Sequence, residues 1–427
     1  MGVSDKIKEN LKQGIQRNLD RNYISRVLNL IGLRPILSTY GSTFSSSSDK
    51  YLNIASIKSL KKAYNSNQPV AFGSLFFSHE FFHALGIVPF LPEVMAGFTA
   101  GLGLADRTLK EASSRWYTPD LCTFHRSASG AVEMDLFPEP KFIIVTNLAC
   151  DAAQKTFYID AKKYGVEKNY FLIDVPYEKN EKNISYLAKQ LEETAENISR
   201  KLGRKTDPEK FSKVIELSNE FRSWAIKINK IRLELTDYPK NFNGLNFILP
   251  FHALAGTTDA VQLYREIYNE LSNHLENQKK DMDFKKILWL HLKPYYKNNI
   301  FNILQDNNYI VAFEEINYVY WPELDPKKPF ESLALKMLSH PLNGSIQNRV
   351  DAVVRMALEY KIDGVILFSH WGCRHSNGGG RIIKDSLKDI NVPALILDGD
   401  CLNKNNSSEG QIYTRLQGFM EIINARI

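Results

Sequence analysis

Short apolar segments alternate with longer helical stretches in two separate parts of this chain. In the first part, Lys141–Thr146 (KFIIVT) and Tyr170–Val175 (YFLIDV) have the composition of buried strands, and a helical stretch lies between them. The second part contains four such segments, which are Ile287–Leu292, Tyr309–Glu314, Gly364–Ser369 and Ala394–Leu397. Because strands that are separated by helices usually form parallel sheets, this alternation predicts an α/β fold.

Helical patterns dominate the rest of the chain. Ile7, Leu11, Ile15 and Leu19 recur at helical spacing near the N-terminus. We therefore predict two flavodoxin-like or Rossmann-like domains with parallel sheets, a helical connector and N-terminal helices. The predicted boundaries are 1–65 for the N-terminal helical arm, 66–180 for the first α/β domain, 181–282 for the connector and 283–427 for the second α/β domain.

Composition narrows the class of protein. The net charge of +6 over 427 residues is too mild to indicate nucleic-acid binding. The most apolar long stretch, residues 81–105, is interrupted by His83, Pro89, Pro92 and Glu93, so no membrane span is expected. The N-terminus lacks the apolar core of a secretory signal, and four cysteines are too few for a disulfide scaffold. These features predict a cytoplasmic protein.

Two of the cysteines occupy equivalent places in the two α/β regions. Cys150 and Cys373 each follow a predicted strand, and Asp174 and Asp398 follow them by 24 and 25 residues. An internal duplication is one explanation, and the common strand-helix spacing of α/β proteins is the other. Each of the two is expected near the N-terminus of the helix after its strand. The N-terminus of a helix favours the thiolate, the form of cysteine that binds metal. Together with Cys122, which lies in a polar segment, these residues form either a shared site or three unrelated thiols.

Several motifs near the C-terminus carry a family resemblance. They are His370-Trp371-Gly372-Cys373, Leu397-Asp398-Gly399-Asp400, and Gly410-Gln411 with Thr414-Arg415. With these motifs the chain resembles the 2-hydroxyacyl-CoA dehydratase family, which includes the 2-hydroxyglutaryl-CoA dehydratase D-component. Its subunits also resemble those of ATP-dependent benzoyl-CoA reductase. The resemblance extends from about residue 65 to the C-terminus.

This resemblance implies a cofactor and partners. The family's enzymes pair two related subunits, and each subunit holds a 4Fe-4S cluster through three cysteines. By motif, the ligands here are Cys122, Cys150 and Cys373, and one iron remains open to another ligand. Cys401 either approaches the cluster or is a free thiol. The expected partners are a second, related dehydratase subunit in a heterodimer, an ATP-dependent iron–sulfur activator protein and an acyl-CoA substrate.

The resemblance also implies a reaction. An oxygen-sensitive enzyme of this kind removes water from an (R)-2-hydroxyacyl-CoA and gives the 2-enoyl-CoA. One electron from the activator reduces the thioester to a ketyl radical anion, hydroxide leaves, and the β-hydrogen becomes acidic enough to remove. The open iron binds the substrate oxygen as a Lewis acid and exchanges the electron.

A second motif has other interpretations. His79-Glu80-Phe81-Phe82-His83 matches HExxH, the zinc-binding pattern of metalloproteases. The resemblance instead makes Glu80 a candidate base for the β-proton, with His79 beside it, whereas a pairing carboxylate is the structural alternative. His252 is expected either to reach the active site or to pack in the core. His370 and His375, which flank Cys373, are candidate hydrogen-bond donors to the cluster.

Three alternative functions remain open at this stage. A benzoyl-CoA reductase-type subunit would use the same cluster to reduce an aromatic ring, and would therefore be an oxidoreductase instead of a lyase. An electron-relay subunit would hold the cluster while its partner alone binds substrate. A zinc protease would hold zinc at His79 and His83.

Overall fold

The structure is a computed structural model that describes residues 20–22, 24, 47–239, 242–278 and 284–426. The periodic positions that predict the N-terminal arm, Ile7, Leu11, Ile15 and Leu19, lie outside these residues. The first long helix that is described is α1, Ser47–Asn65.

The first sheet has four parallel strands. They are β1 (Val70–Gly73), β2 (Val88–Phe90), β3 (Phe142–Thr146) and β4 (Tyr170–Ile173), in the order β2-β1-β3-β4. The helices of this region are α2 (Glu80–Ala84), α3 (Pro92–Gly101), α4 (Ala105–Ser114), α5 (Thr123–Glu133) and α6 (Asp151–Lys163). Every residue of β3 is buried, which explains its unbroken apolar sequence.

Four helices follow the first sheet. They are α7 (Glu181–Lys201), α8 (Pro208–Glu234), α9 (Ile248–Ala253) and α10 (Thr258–Asn277). Gly203, with φ of +71°, follows the end of α7, and the Asp207 side chain accepts the Glu209 and Lys210 N–H groups at the start of α8. Phe221 of α8 packs edge-on against Tyr264 of α10, so the two long helices share a core.

The second sheet repeats the order of the first. Its strands are β5 (Lys285–Leu290), β6 (Tyr309–Glu314), β7 (Gly364–His370) and β8 (Ala394–Gly399), in the order β6-β5-β7-β8. The remaining helices are α11 (Ile300–Asp306), α12 (Pro329–Leu338), α13 (Ile346–Glu359), α14 (Arg374–Gly378), α15 (Gly380–Asp389) and α16 (Glu409–Asn424). Ser408 caps α16 by accepting the Gln411 N–H group.

The two sheets confirm the predicted α/β class with two parallel sheets. In both, the chain crosses from the first strand to an outer neighbour and then returns to the other side, which is the flavodoxin-like order. Cys150 follows β3 and Cys373 follows β7, the equivalent strand. The shared order supports the internal duplication that the cysteine spacing suggests.

None of the helices within the described ranges combines the length and the apolar character needed to cross a bilayer.

Candidate active site

The carboxyl ends of both sheets open onto one cavity of about 120 Å³. Its walls include residues within four positions of the ends of four strands. They are Leu75 and Phe76 after β1, Ala149 and Cys150 after β3, His291 after β5, and Cys373 after β7. The chain leaves β1 and β3 in opposite directions, and the same holds for β5 and β7. A crevice forms at such switch points and is the usual place for ligands in α/β folds.

Cys122, Cys150 and Cys373 all line this cavity, and each is the residue that precedes a helix, α5, α6 and α14 respectively. The N–H groups two and three positions further on act to lower the pKa of each thiol, although none forms a conventional side-chain cap hydrogen bond. Burial has the larger effect and raises all three pKa values, that of Cys150 to about 12. Without a cation nearby, the three side chains are therefore neutral thiols.

Each of these thiols has its own histidine. His370 Nε2 lies 3.3 Å from Cys122 Sγ, His125 Nε2 lies 3.1 Å from Cys150 Sγ, and His291 Nε2 lies 3.6 Å from Cys373 Sγ. His370 Nδ1 accepts the Cys401 N–H group at 3.0 Å, so in the neutral ring the proton is on Nε2 and faces Cys122. His370 thus donates toward a cysteine sulfur.

Gly372 brings two of the cysteine loops into contact. Its φ is +74°, and a Cβ atom there would lie 2.6 Å from the Cys122 amide nitrogen. Only glycine accommodates both the left-handed backbone and this close approach. Gly372, the motif residue before Cys373, therefore allows the loop after β7 of the second sheet to pack against the loop of Cys122 in the region of the first sheet.

No three of the described His, Cys, Asp and Glu side chains are gathered around a single metal-ion position. Cys401 is a buried free thiol that is not part of the cavity wall. Its contact with the site is indirect, through the hydrogen bond of its N–H group to His370.

The structure places Glu80 and His79 outside the cavity wall. Glu80 accepts a hydrogen bond from Ser218 at 2.7 Å and pairs with Lys336 at 2.5 Å. Burial acts to raise the pKa of Glu80, but the Lys336 ammonium outweighs it and holds the pKa below its usual range. These contacts support the pairing alternative for Glu80, and its catalytic role stays a prediction.

The HExxH histidines are also held by protein groups. His79 Nδ1 lies 3.1 Å from the His252 carbonyl oxygen, and His83 Nε2 lies 2.8 Å from that of Ala253. A carbonyl oxygen only accepts, so these two nitrogens carry protons and are not free to bind a metal. The two histidines hold the α2 segment against α9, and this arrangement does not support the zinc-protease alternative.

Replacing Lys336 with methionine is expected to destabilise the protein by about 3–5 kcal/mol, because it leaves Glu80 buried and unpaired. Lys336 Nζ also lies 4.5 Å from the centre of the Trp321 ring. Methionine keeps the apolar stem but loses this cation–π contact together with the ion pair. The denaturation midpoint measures the effect, and the double variant Glu80→Gln/Lys336→Met should recover part of the loss. An unchanged midpoint for Lys336→Met would contradict the assigned ion pair.

A carboxyl group that the sequence did not single out lies in the cavity wall. Glu93 follows β2 and sits in the first turn of α3, and its Oε2 atom has no hydrogen-bond partner among the described residues. Burial raises its pKa to about 7. Glu315 follows the equivalent strand β6, but Arg349 binds both of its oxygens, at 2.6 and 2.8 Å. Of these two carboxyl groups, Glu93 is therefore the one that forms no ion pair with a described residue.

Histidines are strongly enriched around the cavity. Six of the nine in the chain line it: His125, His252, His291, His340, His370 and His375. His252 reaches the cavity, which resolves the choice left open by its apolar sequence context. The signal available in the sequence for Glu93 was a lone acidic residue after Pro92 inside a long apolar stretch.

Comparisons with known proteins agree with these motifs. The family described as 2-hydroxyglutaryl-CoA dehydratase, D-component, matches residues 74–423. The alpha subunit of (R)-2-hydroxyglutaryl-CoA dehydratase from Acidaminococcus fermentans is 24% identical over 67% of this chain. The match spans 61% of the length of that relative.

Two further relatives differ in their named reactions. The (R)-phenyllactyl-CoA dehydratase alpha subunit from Clostridium sporogenes is 21% identical over 82% of this chain and 88% of its own length. A benzoyl-CoA reductase subunit from Thauera aromatica is also 21% identical, over 74% of this chain and 80% of its own length.

Proposed function

Because this chain belongs to the 2-hydroxyglutaryl-CoA dehydratase D-component family, we propose that it is one subunit of an iron–sulfur 2-hydroxyacyl-CoA dehydratase. The proposed reaction is the loss of water from an (R)-2-hydroxyacyl-CoA to give the 2-enoyl-CoA. The observation that carries this proposal is the meeting of Cys122, Cys150 and Cys373 at one cavity.

The donor set suits a 4Fe-4S cluster with one open iron. In such a cluster each thiolate binds a different iron and one iron has no thiolate. The three sulfur ligands are therefore separated from one another and do not surround a single ion. Three free thiols at helix N-termini are present around the cavity, each next to a histidine. When bound, the cluster would supply one-electron transfer to the thioester and a Lewis-acidic iron for its oxygen.

Glu93 is proposed to move the protons. Its carboxyl, with a pKa of about 7, is protonated in a large share of molecules at neutral pH. It would donate that proton to the leaving hydroxyl group, and the resulting carboxylate would accept the β-proton. The two transfers return Glu93 to its starting state and release one water. A catalytic role for Glu80 and His79 stays a prediction, and both residues lie outside the cavity wall.

The partners are part of the same proposal. The dehydratase relatives are named as alpha subunits, which supports a second, related subunit as the partner of this chain. The one-electron activation of a ketyl-radical mechanism would come from a separate ATP-dependent iron–sulfur activator. A pure electron-relay role is less well supported, because the cavity that the cysteines line also has apolar residues such as Leu75 and Ile248 in its wall, which suit contact with an acyl group.

A benzoyl-CoA reductase-type reaction is the second candidate, favoured by the similarity to the Thauera aromatica protein. The anaerobically prepared complex with its partner subunit and activator is expected to convert an (R)-2-hydroxyacyl-CoA to its 2-enoyl-CoA and to leave benzoyl-CoA unchanged. Product analysis by mass spectrometry separates the two reactions. A dienoyl-CoA product from benzoyl-CoA, without dehydration, would favour the reductase.

A further inference from the structure

We propose that the acyl group accepted by this cavity is uncharged and apolar, so that acyl-CoA esters with a second, terminal carboxylate are rejected. This inference rests on the proposed function and specifies its substrate class.

One side of the cavity is a continuous apolar surface. Leu75, Val94, Ile248, Leu292 and Ile316, here called the apolar wall, all line the cavity and belong to one hydrophobic cluster. They come from the segments that follow β1, β5 and β6, from the first turn of α3 and from α9. Residues from both sheets and from the connecting helices thus build a surface that gains from contact with hydrocarbon.

The charges around the cavity are of the wrong sign for a substrate carboxylate. None of the described residues that line the cavity is a lysine or arginine, whereas two glutamates, Glu93 and Glu315, do line it. Arg349 and Lys336 both act electrostatically on the cavity residue His340. The Arg349 guanidinium, however, is bound to Glu315 and to the His375 carbonyl oxygen, and the Lys336 ammonium is paired with Glu80.

Histidines do not supply the missing cation. His252 and His340 both line the cavity; His340 is buried and His252 is half-buried. Burial lowers the pKa of both, that of His340 to about 3, so both rings are neutral near pH 7. A terminal carboxylate in this cavity would lose its water and find no ion partner. An unpaired buried charge costs far more than the gain from the hydrocarbon beside it.

Binding of two unreactive CoA esters tests this without relying on turnover. In both glutaryl-CoA and 5-methylhexanoyl-CoA three methylene groups follow the thioester carbonyl, and an isopropyl group in the second replaces the carboxylate of the first. We expect the anaerobic complex with its partner subunit to bind 5-methylhexanoyl-CoA at least about tenfold more tightly, as measured by titration calorimetry.

A variant is expected to weaken this preference. Leu342 lines the cavity in the loop before α13. Leu342→Lys adds a cation and should shift the ratio of the two affinities at least about tenfold toward glutaryl-CoA. Leu342→Met, with a similar length and no charge, should keep the wild-type preference.

The outcomes separate the two proposals. Equal or tighter binding of glutaryl-CoA by the wild-type complex overturns the apolar substrate class and leaves the dehydratase proposal standing. No binding of either ester, while the complex is folded and loaded with iron, overturns both proposals. An identical shift in Leu342→Met and Leu342→Lys would show that charge is not the cause and would overturn the argument from the missing cation.

Discussion

Alanine at Cys122, Cys150 or Cys373 is expected to remove most of the iron and acid-labile sulfide from the anaerobically purified protein. Each thiol sits at the start of its own helix, and the three lie on separate segments, so a neighbouring cysteine cannot take the place of a missing one. The fourth cysteine, Cys401, is buried and is not part of the cavity wall. Dehydration should be lost together with the iron.

Cys401→Ala is the matched control. It removes a buried thiol of the same kind, and it leaves the Cys401 N–H group that holds His370. We expect this variant to keep its iron and sulfide at the wild-type level. Full iron content in all three of the other variants would rule out the proposed ligand set. Circular dichroism of each variant shows whether a loss of iron reflects unfolding.

Glu93→Gln is expected to lower kcat by about 10²–10⁴-fold, the usual contribution of a positioned acid or base. Glutamine keeps the size of the side chain and cannot donate a carboxyl proton. Because burial raises the pKa of Glu93 to about 7, the protonated form decreases as the pH rises through that value. For wild-type protein, kcat/KM should therefore fall above about pH 7, and the variant should lack this decrease.

Two measurements make the Glu93 result specific. Iron content should be the same in Glu93→Gln and wild-type protein, since a carboxyl group is not among the proposed ligands. Glu80→Gln is the parallel variant, and it should alter the denaturation midpoint more than the rate, because Glu80 pairs with Lys336 outside the cavity wall. If Glu80→Gln loses turnover at unchanged stability while Glu93→Gln does not, the two roles are reversed.

Local sequence was enough to predict the strands with unbroken apolar runs. β3, β6 and β7 lie within a residue of their predicted bounds, because each is fully or almost fully buried. The Tyr170 segment was predicted two residues too long, since β4 ends at Ile173. β1 and β2 have four and three residues, too few for a period to be recognised.

The site was only partly predictable from the sequence. Cys150 and Cys373 follow strands directly, so their position at a sheet edge could be inferred from pattern alone. The positions of Glu93 and His291 in the site depend on which strands lie side by side, and strand order cannot be inferred from local sequence. Glu80 is the opposite case: its motif is conspicuous in the sequence, but its ion-pair partner Lys336 is 256 residues away and could not be inferred from that motif.

The contact that Gly372 permits has a consequence for biosynthesis. Cys122 and its hydrogen-bond partner His370 are separated by 248 residues, so the ribosome completes the first sheet long before the second half of the site exists. Cys122 and Cys150 are therefore present in the growing chain before Cys373 has been synthesised. A cofactor that needs all three can be inserted only after synthesis is nearly finished and the two regions have docked. Once inserted, it would close a long chain loop and oppose the separation of the two regions.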